Sequence, residues 1–154
     1  GGGIIVIDNN EKELFRYLEK ETDEQIRKKA LLSNPFTHPA VLFRRDAAVK
    51  IGGYKVLEFA EDWDFFLRLG NVGKMYNIPE YVAHYLMAGQ NISIKNQREL
   101  AKNLFGIIRA HKDNYPNYWK GYFVNVFQLL HSYLPSKFRT NSTTFLRYIK
   151  RKYF

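Results

Sequence analysis

The chain has 154 residues, no cysteine and a net charge of +9. Its length allows one domain with a hydrophobic core, and 45% hydrophobic with 16% aromatic content excludes a disordered chain. The lack of cysteine excludes disulfides and thiolate chemistry. No apolar run approaches the roughly 18 residues of a membrane span, and no signal-peptide pattern is present. Because the chain opens on Gly1 instead of Met, we expect it to begin inside a longer protein.

The N-terminal part is predicted to alternate a strand with surface helices. Residues 2 to 7 (GGIIVI) are typical of a short buried strand, and a polar turn follows it. A first helix is predicted over residues 11 to 20, with apolar residues on one face. Thr22, followed by Gln three positions later, forms a capping-box pattern, which predicts a second helix through about Leu32.

Residues 34 to 53 are predicted to be mostly irregular. Pro35 and Pro39 push the residues before them out of the α region, so no helix continues there. A brief strand is predicted over residues 40 to 43. Asp46 is a candidate N-cap for a turn of helix, and Gly52-Gly53 supplies its left-handed exit.

The central feature is the stretch from residue 59 to 70 (FAEDWDFFLRLG), which has three carboxylates in four positions and then apolar residues at helical spacing. Asp62 is placed in the first turn of a short helix, where free N–H groups and the helix dipole favour negative charge. Gly70 is the expected C′ residue. Taken alone, these acids are typical of any helix start.

The remaining elements follow in order. A strand is predicted over residues 73 to 78, a turn at Pro79-Glu80 and a second strand over residues 81 to 87. From Gln97 the pattern becomes helical, with a break at residues 113 to 116. A second, aromatic helix is predicted to end at Pro135. The chain closes with a basic and aromatic segment, RYIKRKYF.

Positive charge is concentrated in the C-terminal third. Residues 1 to 96 carry 13 Lys/Arg and 13 Asp/Glu, whereas residues 97 to 154 carry 11 Lys/Arg and 2 Asp/Glu. This asymmetry indicates an anionic partner; a membrane surface is favoured, and no nucleic acid is expected because no recognised module accompanies the charge. A solvated basic surface on packed helices is the alternative. The residues that suit a membrane interface are Trp119, Tyr122, Phe123 and Phe127.

Three segments, taken together, resemble the C-terminal half of a family 2 glycosyltransferase with the GT-A fold. They are NPFTHPAVLFRRDAAVKIGGY (34 to 54), AEDWDFFLRLG (60 to 70) and GKMYNIPEYVAHYLMAGQNIS (73 to 93). The ordered set covers about 60 residues and is more specific than any one motif. The resemblance implies an α/β partial GT-A fold over residues 1 to 96, followed by a mainly helical basic tail over residues 97 to 154.

The resemblance also implies roles for individual residues. Asp62 would be the general base that takes the acceptor hydroxyl proton during inverting sugar transfer, with Glu61 beside it. Trp63 is either a core residue or a stacking platform for the acceptor sugar, and His38 is either a turn residue or an acceptor contact. Asp64 completes a formal D-x-D pattern, but it opens a helix, so a solvated or capping role is favoured over metal binding.

One departure concerns the third segment. Many members of this family carry Arg and His after the tyrosine, in a pattern like Y-R-x-H, whereas this chain has Tyr85-Leu86-Met87-Ala88. The nearby polar substitutes for diphosphate contact are Gln90, Asn91 and Ser93. No metal ligand is assigned in this chain, and Mg²⁺ or Mn²⁺ with a nucleotide-sugar is expected for the full-length protein. We expect the donor-binding half to lie outside this chain, so the chain alone is expected to be inactive.

The implied partners are a nucleotide-sugar donor and a glycan or lipid-linked acceptor, in cell-surface polysaccharide biosynthesis. The implied location is cytoplasmic, with peripheral contact at the inner face of the membrane. A rival interpretation is a non-enzymatic binding module, in which the basic helical tail contacts an anionic membrane or polyanion and the acidic helix is only a cap.

Overall fold

The computed structural model describes residues 1–87 and 96–134, apart from the side chain of Gln97. In these ranges a three-stranded mixed sheet lies with five α-helices and one short 3₁₀ turn, so the predicted α/β class is confirmed and is consistent with part of a glycosyltransferase-like fold. The elements are β1 (Gly2–Ile7), β2 (Glu13–Tyr17), α1 (Asp23–Lys29), α2 (Arg45–Lys50), α3 (Glu61–Gly70), β3 (Ile78–Leu86), α4 (Gln97–Ala110) and α5 (Tyr118–Ser132).

The predicted strand β1 is confirmed and lies at the centre of the sheet. It pairs antiparallel with β2 and parallel with β3. Ile4 and Val6 are buried, as its apolar sequence indicates. Gly3 is required because a Cβ there would lie 2.9 Å from the Tyr17 carbonyl oxygen and 3.1 Å from that of Glu80, so both neighbouring strands approach it closely.

The helix predicted over residues 11 to 20 is wrong, because β2 forms there. The Asp8 carboxylate accepts a hydrogen bond from the N–H of Lys12 (3.0 Å), and Glu11 adopts a left-handed conformation with φ of 60°. This tight turn returns the chain onto β1. Phe15 and Tyr17 then share the partly buried face of the strand with a period of two, which the helical reading of the apolar residues missed.

Of the two strands and the turn predicted between residues 73 and 87, the second strand is confirmed within β3, whereas the first strand and the turn are wrong. Residues 73 to 77 form no strand, and β3 runs without a turn through Pro79 and Glu80. Its register against β1 shifts on both sides of Gly3, where Tyr81 pairs. The proline is tolerated because it lies near the start of the strand, within this irregular stretch.

The capping box at the start of α1 is confirmed. The Thr22 hydroxyl accepts a hydrogen bond from the Gln25 N–H, and the Gln25 side chain accepts one from the Thr22 N–H. The helix ends at Lys29, before the predicted Leu32. Arg27 donates from Nη2 to the carbonyl of Gly70 (2.6 Å), so α1 holds the C-terminal end of α3.

The segment before α3 differs from its prediction in two places. The strand expected over residues 40 to 43 is absent; residues 41 to 44 form no strand in the described part of the chain. Asp46 is not the N-cap of α2, because that position is Arg44; Asp46 lies in the first turn and accepts a hydrogen bond from the Ala47 N–H (2.9 Å). Gly52 and Gly53 have φ of 80° and 69°, which confirms the left-handed exit.

Gly70 is the last helical residue of α3, and not the left-handed C′ residue predicted; Asn71 is the C-cap. Packing explains why position 70 is glycine: a Cβ there would overlap the Tyr115 hydroxyl and lie 2.8 Å from the Met75 sulfur. Tyr115 donates its hydroxyl proton to the carbonyl of Leu67 (2.7 Å). The helix therefore ends against a residue from the C-terminal part of the chain.

Helices α4 and α5 confirm the predicted helical pair and the break at residues 113 to 116, although α5 ends at Ser132, before Pro135. α5 packs closely, because a Cβ on Gly121 would overlap the carbonyl oxygen of Leu31. The closing segment RYIKRKYF lies outside the described residues. In the described ranges, no helix combines the length and apolarity that a membrane crossing requires.

One hydrophobic core joins α1, α3 and α4, and the apolar side chains of the acidic helix α3 are part of it. The domain boundary predicted at residue 96 stays a prediction. The buried core residues are Ile26, Ala30, Leu31, Phe36, Trp63, Phe65, Phe66, Leu67, Met75, Leu104, Ile107, Ile108 and Tyr115.

Candidate functional site

Helix α3 begins after Ala60, which holds a left-handed conformation with φ of 63° and ψ of 26°. An L-residue with a Cβ pays a cost of roughly 1–3 kcal/mol in such a conformation, so the surrounding structure must fix it. Ala60 provides no side-chain cap. The negative charges of the first turn, on Glu61, Asp62 and Asp64, instead favour the N-terminal end of the helix.

Asp62 is half-buried and held at both oxygens. Its Oδ2 accepts a hydrogen bond from Asn34 Nδ2 (2.9 Å), and its Oδ1 accepts one from the backbone N–H of Trp63 (2.7 Å). Burial raises the pKa of Asp62, and Glu61 adds to the increase, while these two donors and the nearby His38 oppose it. The net effect of these groups is a raised pKa for Asp62.

His38 and Tyr54 form a polar pair beside the two carboxylates. His38 is exposed, and its Nε2 lies 3.0 Å from the Tyr54 hydroxyl. The Tyr54 ring stacks on Phe65 of α3 with centroids 4.0 Å apart. Burial raises the pKa of Tyr54, and the charges of Asp62 and Glu61 raise it further. The pair and the carboxylates thus share one electrostatic environment.

Trp63 lies in the core and not at the surface. It is 6% exposed, and its indole N–H donates to the carbonyl of Ala30 (2.8 Å). A ring enclosed in this way offers no free face on which a sugar could stack. The acceptor-binding role expected of Trp63 does not fit this placement, and the core interpretation does.

Asp64 is also corrected, because it is buried and paired instead of solvated. It is 2% exposed; Oδ2 accepts from Arg68 Nε at 2.7 Å, and Oδ1 lies 3.2 Å from both Lys55 Nζ and His111 Nε2. Burial alone would raise the pKa of Asp64, but the hydrogen bonds from Arg68, His111 and Lys55 outweigh it and lower the pKa. Burial lowers the pKa of His111, and the hydrogen bond with Asp64 opposes this effect.

The two aspartates of the D-x-D pattern therefore have different environments. Asp62 faces neutral donors and part of the surface, whereas Asp64 is surrounded by cationic and imidazole groups within the protein. These residues do not fit a divalent cation, because the Asp64 oxygens are already bound. In the described ranges, no group of three His, Cys, Asp or Glu side chains is placed to hold a metal ion.

The structure adds residues that the sequence reasoning missed. Asn34 begins the first quoted segment and Tyr54 ends it. Their contacts with Asp62 and His38 span 28 and 16 residues and leave no local periodicity in the sequence. The Asp64–Arg68 pair could have been read from its i, i+4 spacing. The diphosphate-contact candidates Gln90, Asn91 and Ser93 lie outside the described residues.

The chain is similar to a glycosyltransferase. It is 31% identical over 81 residues to the amylovoran biosynthesis glycosyltransferase AmsE of Erwinia amylovora. The match covers 52% of this chain and 30% of that relative's length. No protein-family model matches the chain, and no solved structure does. A glycosyltransferase relationship is thus supported over about half the chain.

Proposed function

We propose that this chain is the acceptor side of an inverting family 2 glycosyltransferase with a GT-A fold, and that Asp62 is its catalytic base. The observation that carries the proposal is the Asp62 carboxylate, which is half-buried, anchored by Asn34 and raised in pKa at the start of α3. The similarity to a glycosyltransferase over 81 residues supports the reaction class.

The proposed step is a direct displacement. The acceptor hydroxyl oxygen forms a bond to the anomeric carbon as the bond from that carbon to the nucleotide diphosphate breaks, and the hydroxyl proton moves to Asp62. A base is most effective when its pKa lies near the working pH. The burial that raises the pKa of Asp62 therefore favours proton abstraction at neutral pH.

The neighbours of Asp62 have separate tasks in this proposal. The Asn34 amide fixes the direction of the carboxylate, and each oxygen keeps a lone pair for the acceptor hydroxyl. His38 and Tyr54 present a ring nitrogen and a hydroxyl that can bind other acceptor hydroxyls. Glu61 lies half-buried beside the base. Trp63 contributes by holding the first turn of α3 against the core.

The test compares Asp62→Asn with the wild type and with one control variant in the gene product that contains these 154 residues. Release of nucleoside diphosphate is measured with a panel of nucleotide-sugars and hydroxyl acceptors. The amide oxygen in Asp62→Asn can keep the contact with Asn34 at the loss of the contact with the Trp63 N–H, and kcat should fall by about 10²- to 10⁴-fold. Asp46→Asn, on an exposed acid in the first turn of α2, should leave kcat unchanged. Undiminished transfer by a folded Asp62→Asn protein would remove Asp62 as the base.

The chain by itself is proposed to bind nucleotide-sugars poorly, because the donor-binding portion is expected elsewhere in the full protein. Calorimetric titration of residues 1–154 with UDP-, GDP- and dTDP-sugars measures this directly. Tight binding of any of these donors would contradict the proposal that donor binding requires another portion of the full protein. It would leave the role of Asp62 open to the kinetic test above.

The relative is named for the biosynthesis of amylovoran. For the present chain we propose only an acceptor class, a glycan or lipid-linked acceptor in cell-surface polysaccharide assembly. We also propose a cytoplasmic location at the inner face of the membrane. A divalent cation, if the full protein uses one, is proposed to bind outside the described residues, since Asp64 is committed to Arg68 and His111.

A second candidate function is favoured by a different observation. Helix α5 exposes several large aromatic and aliphatic side chains, which is unusual for a solvated helix. A binding module that works through this helix would need no catalysis. Loss of transfer in a folded Asp62→Asn protein would favour the enzyme, and this module interpretation requires transfer to be absent from the wild type.

A further inference from the structure

Helix α5 carries an exposed apolar stripe on the face that points away from the core. At about 100° per residue, the four members within α5 fall within roughly 80° of the helix circumference, and the other two directly follow the helix. Gly121, Asn125 and Ser132 lie on the opposite face and are buried. The members, each 46% to 65% exposed and together called the α5 stripe, are Trp119, Phe123, Phe127, Leu130, Tyr133 and Leu134.

The α5 stripe contains no charged residue, but basic side chains border it. Lys120 follows its first member, and the Arg98 guanidinium lies 4.3 Å from the Tyr133 ring centroid. Residues 96 to 134 contain 5 Lys/Arg and 2 Asp/Glu, and one of those acids, Glu99, is paired with Lys102. The apolar face is thus framed by positive charge.

The sequence continues this charge beyond the end of the α5 stripe. Residues 135 to 154 contain 6 Lys/Arg and no Asp/Glu, together with Phe138, Phe145, Tyr148, Tyr153 and Phe154. Aromatic rings and basic side chains are the combination that sits at the boundary between lipid headgroups and acyl chains. An anionic surface with an apolar layer beneath it complements both properties at once.

We propose that the α5 stripe binds peripherally to an anionic lipid bilayer, with α5 lying in the plane of the membrane and its aromatic face below the headgroups. A second copy of the chain is a poorer occupant, because a two-fold contact through this face would bring like basic borders together. The proposal is independent of the sugar-transfer reaction. The 15 residues of α5 give a contact about 22 Å long.

The binding is expected to depend on both lipid charge and the stripe. Each Lys or Arg near an anionic leaflet adds about fivefold in affinity at low salt, and salt screens this part. Burial of the stripe adds an apolar part that salt does not remove. Binding to phosphatidylcholine alone should therefore be weaker than binding to vesicles with about 30% phosphatidylserine by on the order of a hundredfold.

The first test is co-sedimentation of residues 1–154 with those two kinds of vesicle. The stripe variant is Phe123→Ser/Phe127→Ser/Leu130→Ser, which changes only exposed side chains and should fold. The matched control replaces three exposed aliphatic residues elsewhere, Leu42, Val49 and Val56, by Ser. The stripe variant should lose at least tenfold in vesicle affinity, and the matched control should bind as the wild type does.

The second test uses the two tryptophans of the chain. Trp63 is buried and Trp119 is 65% exposed, so only Trp119 can change its environment on binding. Anionic vesicles should shift its emission to the blue and protect it from iodide, and brominated lipids should quench it about 5–10 Å below the headgroups. Trp119→Phe should abolish the shift while leaving sedimentation nearly intact.

Several outcomes would overturn the proposal. These are no vesicle binding, equal binding by the stripe variant and the matched control, or Trp119 emission that anionic vesicles leave unchanged. Sedimentation-velocity detection of a dimer that the stripe variant disrupts, without vesicle binding, would assign the α5 stripe to a second copy. Binding to nucleic acid instead of vesicles would assign the charge to a polyanion.

Discussion

Replacement of Asp64 by Asn should destabilise the fold by more than the same change at Asp62. Asp64→Asn removes a buried charge that Arg68 contacts at 2.7 Å, and the Arg68 side chain is only 14% exposed. Leaving one partner of a buried pair uncompensated costs about 3–5 kcal/mol. Lys55 contributes little to this figure, because its side chain is 53% exposed and screened by solvent.

The loss can be converted into a melting temperature. For chains of 150–250 residues, each kcal/mol shifts Tm by about 2–4 °C, so Asp64→Asn should melt about 6–20 °C below the wild type. Thermal and urea unfolding followed by circular dichroism at pH 7 measure both quantities. Asp62→Asn is the matched control, since it changes the same group two residues away.

The pH dependence of the two variants should have opposite signs. The pKa of Asp64 is lowered by folding, so its stabilisation is present above the unfolded value of about 3.9 and is lost as pH falls through the folded pKa. The pKa of Asp62 is raised, so its favourable contribution is present below about 3.9 and is lost as pH rises. At pH 7 Asp62→Asn therefore loses a partly buried charge but also one of the two hydrogen bonds that the carboxylate accepts, so its stability should lie closer to the wild type than that of Asp64→Asn.

Two results would refute this reasoning. One is an Asp64→Asn protein whose free energy of unfolding at pH 7 lies within about 1 kcal/mol of the wild type, below the cost expected for a broken buried pair. The other is an Asp62→Asn protein that is less stable than Asp64→Asn at neutral pH. The first result would show that Asp64 is not the structural charge of α3. The second would place that charge at Asp62, and the proposed base would need to be sought elsewhere.

Three further changes give separate checks. Gly121→Ala should lower the free energy of unfolding by about 1–3 kcal/mol, measured with denaturant, because its Cβ would overlap a backbone carbonyl. Gly106→Ala, where a Cβ meets open space, should instead raise it by about 0.5–1 kcal/mol. Equal effects of the two changes would contradict the close packing of α5. Asn34→Ala removes a donor that lowers the pKa of Asp62, so the acidic limb of the kcat/KM profile should move to higher pH; an unmoved limb would detach Asn34 from the base. Tyr115→Phe should lower the free energy of unfolding by about 1 kcal/mol. Since burial raises the pKa of Tyr115 to about 12, the greater stability of the wild type should be lost only as pH rises above about 10. Ultraviolet titration of the variant should show one fewer tyrosine that ionises late.

Local signals in the sequence predicted several elements correctly. Thr22 and Gln25 form the predicted capping box, and the acidic start of α3 lies where the charges indicate. Gly52 and Gly53 adopt the predicted left-handed exit. In each case the physical cause lies within four residues of its effect, so sequence spacing is sufficient.

The errors arise where distant parts of the chain decide the outcome. β2 is a strand because β1 is available to pair with it, although its apolar residues also fit a helix. Gly70 is required by Tyr115, which lies 45 residues further along, and not by the backbone conformation at a helix end. Asp64 is buried because Lys55 and His111 converge on it. Spacing alone contains none of these contacts.

The attachment of α4 to α3 limits how this chain can recombine with relatives. His111 contacts Asp64, and Tyr115 donates to the Leu67 carbonyl, so two side chains from the C-terminal part complete polar groups inside the acidic helix. A crossover near residue 96 that brought in a tail without an imidazole and a phenol at these positions would leave a buried carboxylate and a carbonyl short of donors. The helix that carries Asp62 and the tail that carries the α5 stripe are therefore expected to be inherited together.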